Sequence, residues 1–318
     1  MTETNNQFRP VFSGHETFSL RYGWLKKIYD LCEFAEKSGK TAKNILASDE
    51  AIVLLGVGKN MVNSMQYWAK YCGLFDTTAE KDIKLTPFAK WLLADGGKDP
   101  WLENYTSLWF FHWNLTRKNN FNGDCLFTYY WLFNHYNSST FDKELLQKRI
   151  IDCLGDTFDV PDNKLPAENT LKRDIDCLIN VYAGKNTNGK VDDESIESPL
   201  TELNLITPIT KRDLFQINRG FKPNLSVNTF LFALFMFWKE YSPNTKTISF
   251  ESLCYQTSSV GRVFVLNEDA VSDFMQKAPK ASRGLLEYSE TAGMKELILS
   301  KEIKDFEQVA YDFLKEDY

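Results

Sequence analysis

Glycine and proline are scarce in this chain of 318 residues, 16 and 10 respectively, and their scarcity speaks for helix-rich packing over a flexible or low-complexity chain. No basic N-terminal region leads into an apolar stretch. The longest apolar run, TFLFALFMFW at 229–238, falls well short of the roughly 20 residues that span a bilayer. A soluble cytoplasmic protein is therefore expected. The six cysteines, at 32, 72, 125, 153, 177 and 254, form no C-x-x-C pair and have no histidine cluster at zinc-ligand spacing. That excludes a zinc finger and predicts reduced, mostly buried thiols. A surplus of positive charge is also lacking: the net charge is -6, so any nucleic-acid contact must come from a local basic surface.

What the chain does have is aromatic mass. Aromatics make up 14% and hydrophobic residues 43%, enough for a sizeable core, and the length favours two or three domains. Apolar residues at 24, 25, 28, 31 and 34 mark one face of a helix. Ser48 followed by Asp49, Glu50 and an apolar run predicts a short helix over 49–55; a turn at 56–58 and a second helix over 59–71 then complete a helix-turn-helix. GLF and IKL flank a polar loop as two short strands, and Thr86-Pro87 opens another helix, so the unit reads as a winged helix. Its second helix carries Lys59, Asn60, Asn63, Ser64, Gln66 and Lys70 and no acid, which suits phosphates and base edges. GVGKN is not a phosphate loop: the motif needs glycine and Ser/Thr where Val53 and Asn60 stand.

Downstream, 99–165 reads as an aromatic-rich helical spacer with His112 and His135 as core histidines and a turn at 119–123. Glu168 to Gly184 predicts a helix, followed by a polar insertion at 185–198 and two strands, LITPI and DLFQINR. Residues 227–241 predict a nearly all-apolar core helix. LLEYSETAGMKELILS predicts a hairpin turning at Ala292-Gly293. The expected fold is mainly α with small β-hairpins (α+β), as tandem winged-helix-like modules: 1–98, the spacer 99–165, then 166–241 and 242–318.

FSGHETFSLRYGWLKK (12–27), LLGVGKNMVNSMQYW, LKRDIDCLINVYAG, SPLTELNLI and SSVGRVFVLNE together resemble the SspB-type family of bacterial DNA phosphorothioation islands, commonly labelled a domain of unknown function. The family pattern commonly has proline at Ser19 and Val260, phenylalanine at Leu178 and Arg-Thr at Asn180-Val181. The resemblance implies an antiphage defence protein that acts on DNA beside a sulfur-transfer partner similar to phosphoadenosine-phosphosulfate reductases, nicking DNA as sulfur replaces a backbone oxygen. It assigns no catalytic residue. The chemistry of phosphodiester cleavage points to Mg²⁺ or Mn²⁺ on carboxylates, or to a side-chain nucleophile. The candidates are His15 with Glu16 and Arg21, Asp174 with Asp176, and Arg262 for phosphate. Asp174 and Asp176 point about 200° apart on a helix, which works against a shared metal. Ser13 and Glu16 have the spacing of a capping box, a structural alternative for Glu16. A non-catalytic adaptor that docks the sulfur-transfer protein, and a winged-helix regulator, are the other readings.

Overall fold

The computed structural model describes residues 9–76, 82–118, 121, 123–184, 198–209 and 213–318. Helices dominate and the strands form small sheets, so the α+β expectation holds. Strand β1 (Arg9–Val11) is followed by α1 (Trp24–Lys37), whose predicted apolar face is buried at Trp24, Leu25, Ile28 and Leu31, whereas Phe34 is exposed and Ala35 is buried instead. Helix α2 (Ala42–Ala47) has no counterpart in the sequence reading, because six residues are too few to display a period. Helices α3 (Glu50–Leu55) and α4 (Lys59–Tyr71) flank the turn at 56–58 as expected. Gly73, at φ 83°, ends this segment, and a side chain there would press on Asn114 at 3.1 Å. The two expected wing strands reduce to one antiparallel bridge between Phe75 and Leu85, and 77–81 lie outside the described residues. Helix α5 (Pro87–Leu93) starts where Thr86 accepts a hydrogen bond from the Ala89 amide at 3.1 Å.

The next segment supplies the centre of the molecule. Helix α6 (Tyr105–Leu115), strand β2 (Asp124–Leu126) and helix α7 (Phe127–Asn134) bury nearly every side chain they carry. Strand β3 (Thr140–Asp142) leads into the amphipathic α8 (Lys143–Asp156) and then α9 (Glu168–Tyr182). Of the expected polar insertion at 185–198, residues 185–197 lie outside the described residues, as does most of the 119–123 turn. A short 3₁₀ turn, Pro199–Leu203, precedes strands β4 (Ile206–Ile209) and β5 (Leu214–Ile217). Helix α10 (Val227–Tyr241) is apolar on every side and buried, as its sequence requires. There follow β6 (Thr247–Ser249), α11 (Phe250–Tyr255), α12 (Val260–Val263), α13 (Glu268–Ala281), the hairpin β7 (Leu286–Thr291) with β8 (Met294–Leu299), and α14 (Phe306–Lys315).

Strand pairing crosses the expected module boundaries in two of the three sheets. β1 pairs in parallel with β2, β3 from the spacer region joins β5 and β4, and β6 joins β8 and β7. One continuous hydrophobic core runs from Phe12 to Leu314. Its aromatics interlock at close range: Trp113 on Phe232 at 4.7 Å, Phe230 stacked on Phe274 at 4.7 Å and Phe235 stacked on Phe313 at 5.6 Å. Each such ring, fully buried, contributes about 1.5–3 kcal/mol of transfer free energy before its packing geometry is counted.

Candidate functional site

The opening motif is a clasp built by close contacts. β1 delivers Phe12 onto Phe127 at 6.0 Å, and Gly14, at φ 108°, lets the backbone pass where an added side chain would meet the Tyr67 ring at 3.0 Å. No helix begins at Ser13: Glu16 is exposed at φ 50° and the first helix among the described residues starts at Trp24, so the capping-box expectation fails. The Phe18 carbonyl accepts from Trp68 Nε1 at 3.1 Å and from Cys177 Sγ at 3.5 Å, which ties the segment to α4 and α9 together. Arg21 lies over the Phe18 and Trp24 rings at 5.5 and 5.3 Å, a cation on an aromatic shelf.

Folding brings together two candidates 159 positions apart. His15 Nδ1 accepts the Thr17 amide at 3.0 Å, so its other nitrogen carries the proton; that nitrogen lies 3.2 Å from Asp174 Oδ1, too oblique for a well-aligned bond. Asp174 Oδ2 accepts from the Thr128 hydroxyl, and the Tyr67 ring stands edge-on to His15 at 5.7 Å. His15 is 3% exposed and Asp174 1%. Burial, and then the negative charge of Asp174, push the Tyr67 hydroxyl well above its ordinary pKa. A histidine backed by a carboxylate is the pairing of a general base, but this one is closed to solvent and joins the N-terminal segment to α4, α7 and α9. Asp176, two residues on, faces the other way and pairs with Lys143 at 2.7 Å in a surface recess of about 950 Å³ lined by acids and lysines alike. The sequence gives no sign of Thr128 as the partner of Asp174 or of Tyr67 beside His15, since neither belongs to a polar motif.

A second polar node forms around Asp124. It accepts from Arg9, from Lys70 at 2.6 Å and from Tyr71 at 2.8 Å. Burial acts to raise this carboxyl, and the bonds from Arg9, Lys70 and Tyr71 outweigh it, so its pKa is held below the ordinary carboxylate value. Lys70 also lies over the Phe121 ring at 4.6 Å. It is therefore a tether between α4 and β2, and the expectation of a free lysine at this end of α4 is corrected.

The rest of the basic helix divides by helical phase. Lys59, Asn60 and Asn63 are exposed together on its first turns, Gln66 is half-buried, and Ser64 faces the core, which removes it from any surface contact. No acid occupies the first turn, so the helix end keeps its positive pole uncompensated. Arg262 is buried as well. It donates to the Asn134 carbonyl at 2.8 Å through Nε, to Asn137 Oδ1 at 2.9 Å and to the Tyr136 carbonyl at 3.4 Å, closing the C-terminal end of α7, and neither Glu268 nor Asp269 pairs with it. His112 is buried between the Tyr182 hydroxyl and the Val263 carbonyl, both at 2.7 Å, as the core reading expects.

Residues 12–318 match the family described as a protein of unknown function, DUF4007. The chain belongs to the DUF4007 family. Among solved structures it is similar to a magnesium-ion-bound SspB crystal structure at a TM-score of 0.81 and 26% identity, covering 100% of this chain and 90% of that one. A second SspB crystal structure matches at 0.79 and 26%, covering 96% and 87%. No curated protein matches. Membership of an SspB-type group within DUF4007 is thus supported along the whole fold. Among the described residues no three His, Cys, Asp or Glu side chains gather as a metal-ligand group, and the His15–Asp174 pair is sealed from solvent. No helix among the described residues is long and apolar enough to cross a membrane.

Proposed function

We propose that this DUF4007 chain is the DNA-contacting component of a bacterial DNA phosphorothioation or related antiphage defence system, working in the cytoplasm beside a sulfur-transfer protein and taking part in the nicking step. The observation that carries the reading is the likeness to SspB over the full length of the chain. The exposed first turns of α4 support it locally. Lys59, Asn60 and Asn63 stand on one face with no ion pair to Lys59 among the described residues, at a helix end whose dipole favours phosphate. In this reading α3 and α4, with the Phe75–Leu85 bridge beside them, act as a winged helix and α4 is the element laid against the duplex.

The test is a mobility-shift series from low to high salt on duplex and single-stranded DNA, with supercoiled plasmid plus Mg²⁺ or Mn²⁺ run in parallel. Binding is expected to weaken with a log-log slope of about -0.9 per phosphate contacted on duplex, and Lys59→Ala to reduce that slope by about one contact. No complex with either form of DNA at low salt would sink the proposal. Retention of the plasmid in its supercoiled form would remove the standalone nicking step.

A further inference from the structure

The segment Arg219-Gly220-Phe221-Lys222 follows β5 and carries two cations around an exposed ring. It is fastened to the segment between α12 and α13. The Gly220 amide donates to the Val265 carbonyl at 3.0 Å and Arg219 Nη1 to the Leu266 carbonyl at 3.2 Å. This places Arg219 at the junction of two surface recesses, of about 420 and 590 Å³. Tyr255 lies in one and Phe221 in the other, at 57% and 59% exposure, so each presents a ring to solvent beside Arg219.

Beneath them lie two buried cations. Lys222 is 5% exposed and donates to the Asn218 carbonyl; Arg262 is 6% exposed and donates only to carbonyl and amide oxygens. Among the described residues neither of them, nor Arg219, has a carboxylate at ion-pair distance. Buried charges are normally paired, because desolvation costs several kcal/mol that an opposite charge offsets. Here burial, and then repulsion from Arg219, lower Lys222 to about 8 and Arg262 to about 10. The acids that line the recesses are Glu202, Glu268 and Asp269; Glu202 accepts the Tyr22 hydroxyl and Glu268 the Tyr255 hydroxyl.

From this juxtaposition we infer that Phe221 and Tyr255, with Arg219 between them, form a platform for single-stranded nucleic acid, its bases stacked on the rings and its phosphates set against the exposed Arg219, while the buried Lys222 and Arg262 add positive charge from below without touching the strand. Aromatic faces beside uncompensated cations are the chemistry of sequence-tolerant single-strand binding. The inference rests on the DNA-contacting reading and adds to it a second surface, distinct from α4, that takes one strand.

The experiment is fluorescence anisotropy on the full chain with a labelled oligothymidylate and a labelled duplex, comparing wild type, Phe221→Ala, Phe221→Trp, Arg219→Ala and Lys59→Ala. Unchanged melting curves certify that the variants are folded, since Phe221 and Arg219 are exposed. Phe221→Ala should weaken oligothymidylate binding by roughly 5- to 150-fold, the loss of one stacked base, and Phe221→Trp should restore it. Its duplex affinity should stay within about twofold, whereas Lys59→Ala should show the opposite pattern. Inorganic phosphate should compete only weakly with the oligonucleotide. Equal oligothymidylate binding by wild type and Phe221→Ala overturns the platform, and so does full displacement by phosphate, which would make the site one for the free anion. A wild type that binds duplex and no single strand overturns this inference alone. One that binds neither overturns the DNA-contacting reading with it.

Discussion

Replacing Asp174 by asparagine separates a lock from a catalyst. Both carboxylate oxygens face donors: the Thr128 hydroxyl bonds Oδ2, and the protonated nitrogen of His15 lies 3.2 Å from Oδ1. Asparagine has the same shape but one acceptor oxygen; with that oxygen kept toward His15, its amide faces the Thr128 hydroxyl, which must turn from donor to acceptor and leave its own hydrogen without its present partner, deep in a site 1% exposed. A buried donor left unsatisfied costs about 1–3 kcal/mol. For a chain of this length that translates into a melting temperature lower by about 1.5–4.5 °C. Calorimetry or urea denaturation measures the loss, and DNA binding measured well below the transition should keep its wild-type affinity. Asp174→Asn with unchanged melting but abolished DNA binding or processing would refute the structural assignment and return the His15–Asp174 pair to the chemistry.

Two further outcomes test the core. Burial lowers His112 to about 4 against an opposing pull from the Val263 carbonyl, so the unfolded chain, with its histidine near 6.5, binds the extra proton first. Its contribution is complete above about pH 6.5 and is lost as pH falls toward 4, amounting to about 2 kcal/mol between pH 7 and 5; urea denaturation at the two values should show this drop, and a His112→Asn variant should show a flatter one. Equal pH slopes would contradict it. A methyl group at Gly261 would meet the backbone of Leu253 and Cys254 at 2.7–2.9 Å, where no side chain can yield, so Gly261→Ala should force α11 and α12 apart and cost about 1–3 kcal/mol by the same denaturation assay. A neutral result would mean that the two helices are not in contact at this glycine.

Local chemistry made some parts legible in advance. The period of α1, the cap and proline of α5, the all-apolar α10 and the Ala292-Gly293 turn were readable because neighbours in sequence determine them. Partnerships across the chain were not. Lys70 looked available because nothing within α4 opposes it, yet its partner Asp124 sits 54 positions on in β2. His15 and Asp174 were singled out separately, and no spacing rule joins residues that meet through a parallel strand and three helices. Arg262 in its Ser-Ser-Val-Gly-Arg turn suggested a phosphate ligand; the carbonyls it closes belong to the end of α7, which sequence alone does not bring near. Phe221 and Lys222 carried no motif, and their interest arises only once burial and exposure are known.

The most direct measurement of the central claim is the affinity of the wild-type chain for duplex DNA as a function of salt, beside Lys59→Ala. Contact with DNA through α4 predicts a complex at low salt, a steep linear fall of log affinity with log salt, and a shallower fall for the variant. A chain that binds no DNA at any salt, or binds it with the same slope after Lys59 is removed, would contradict that account.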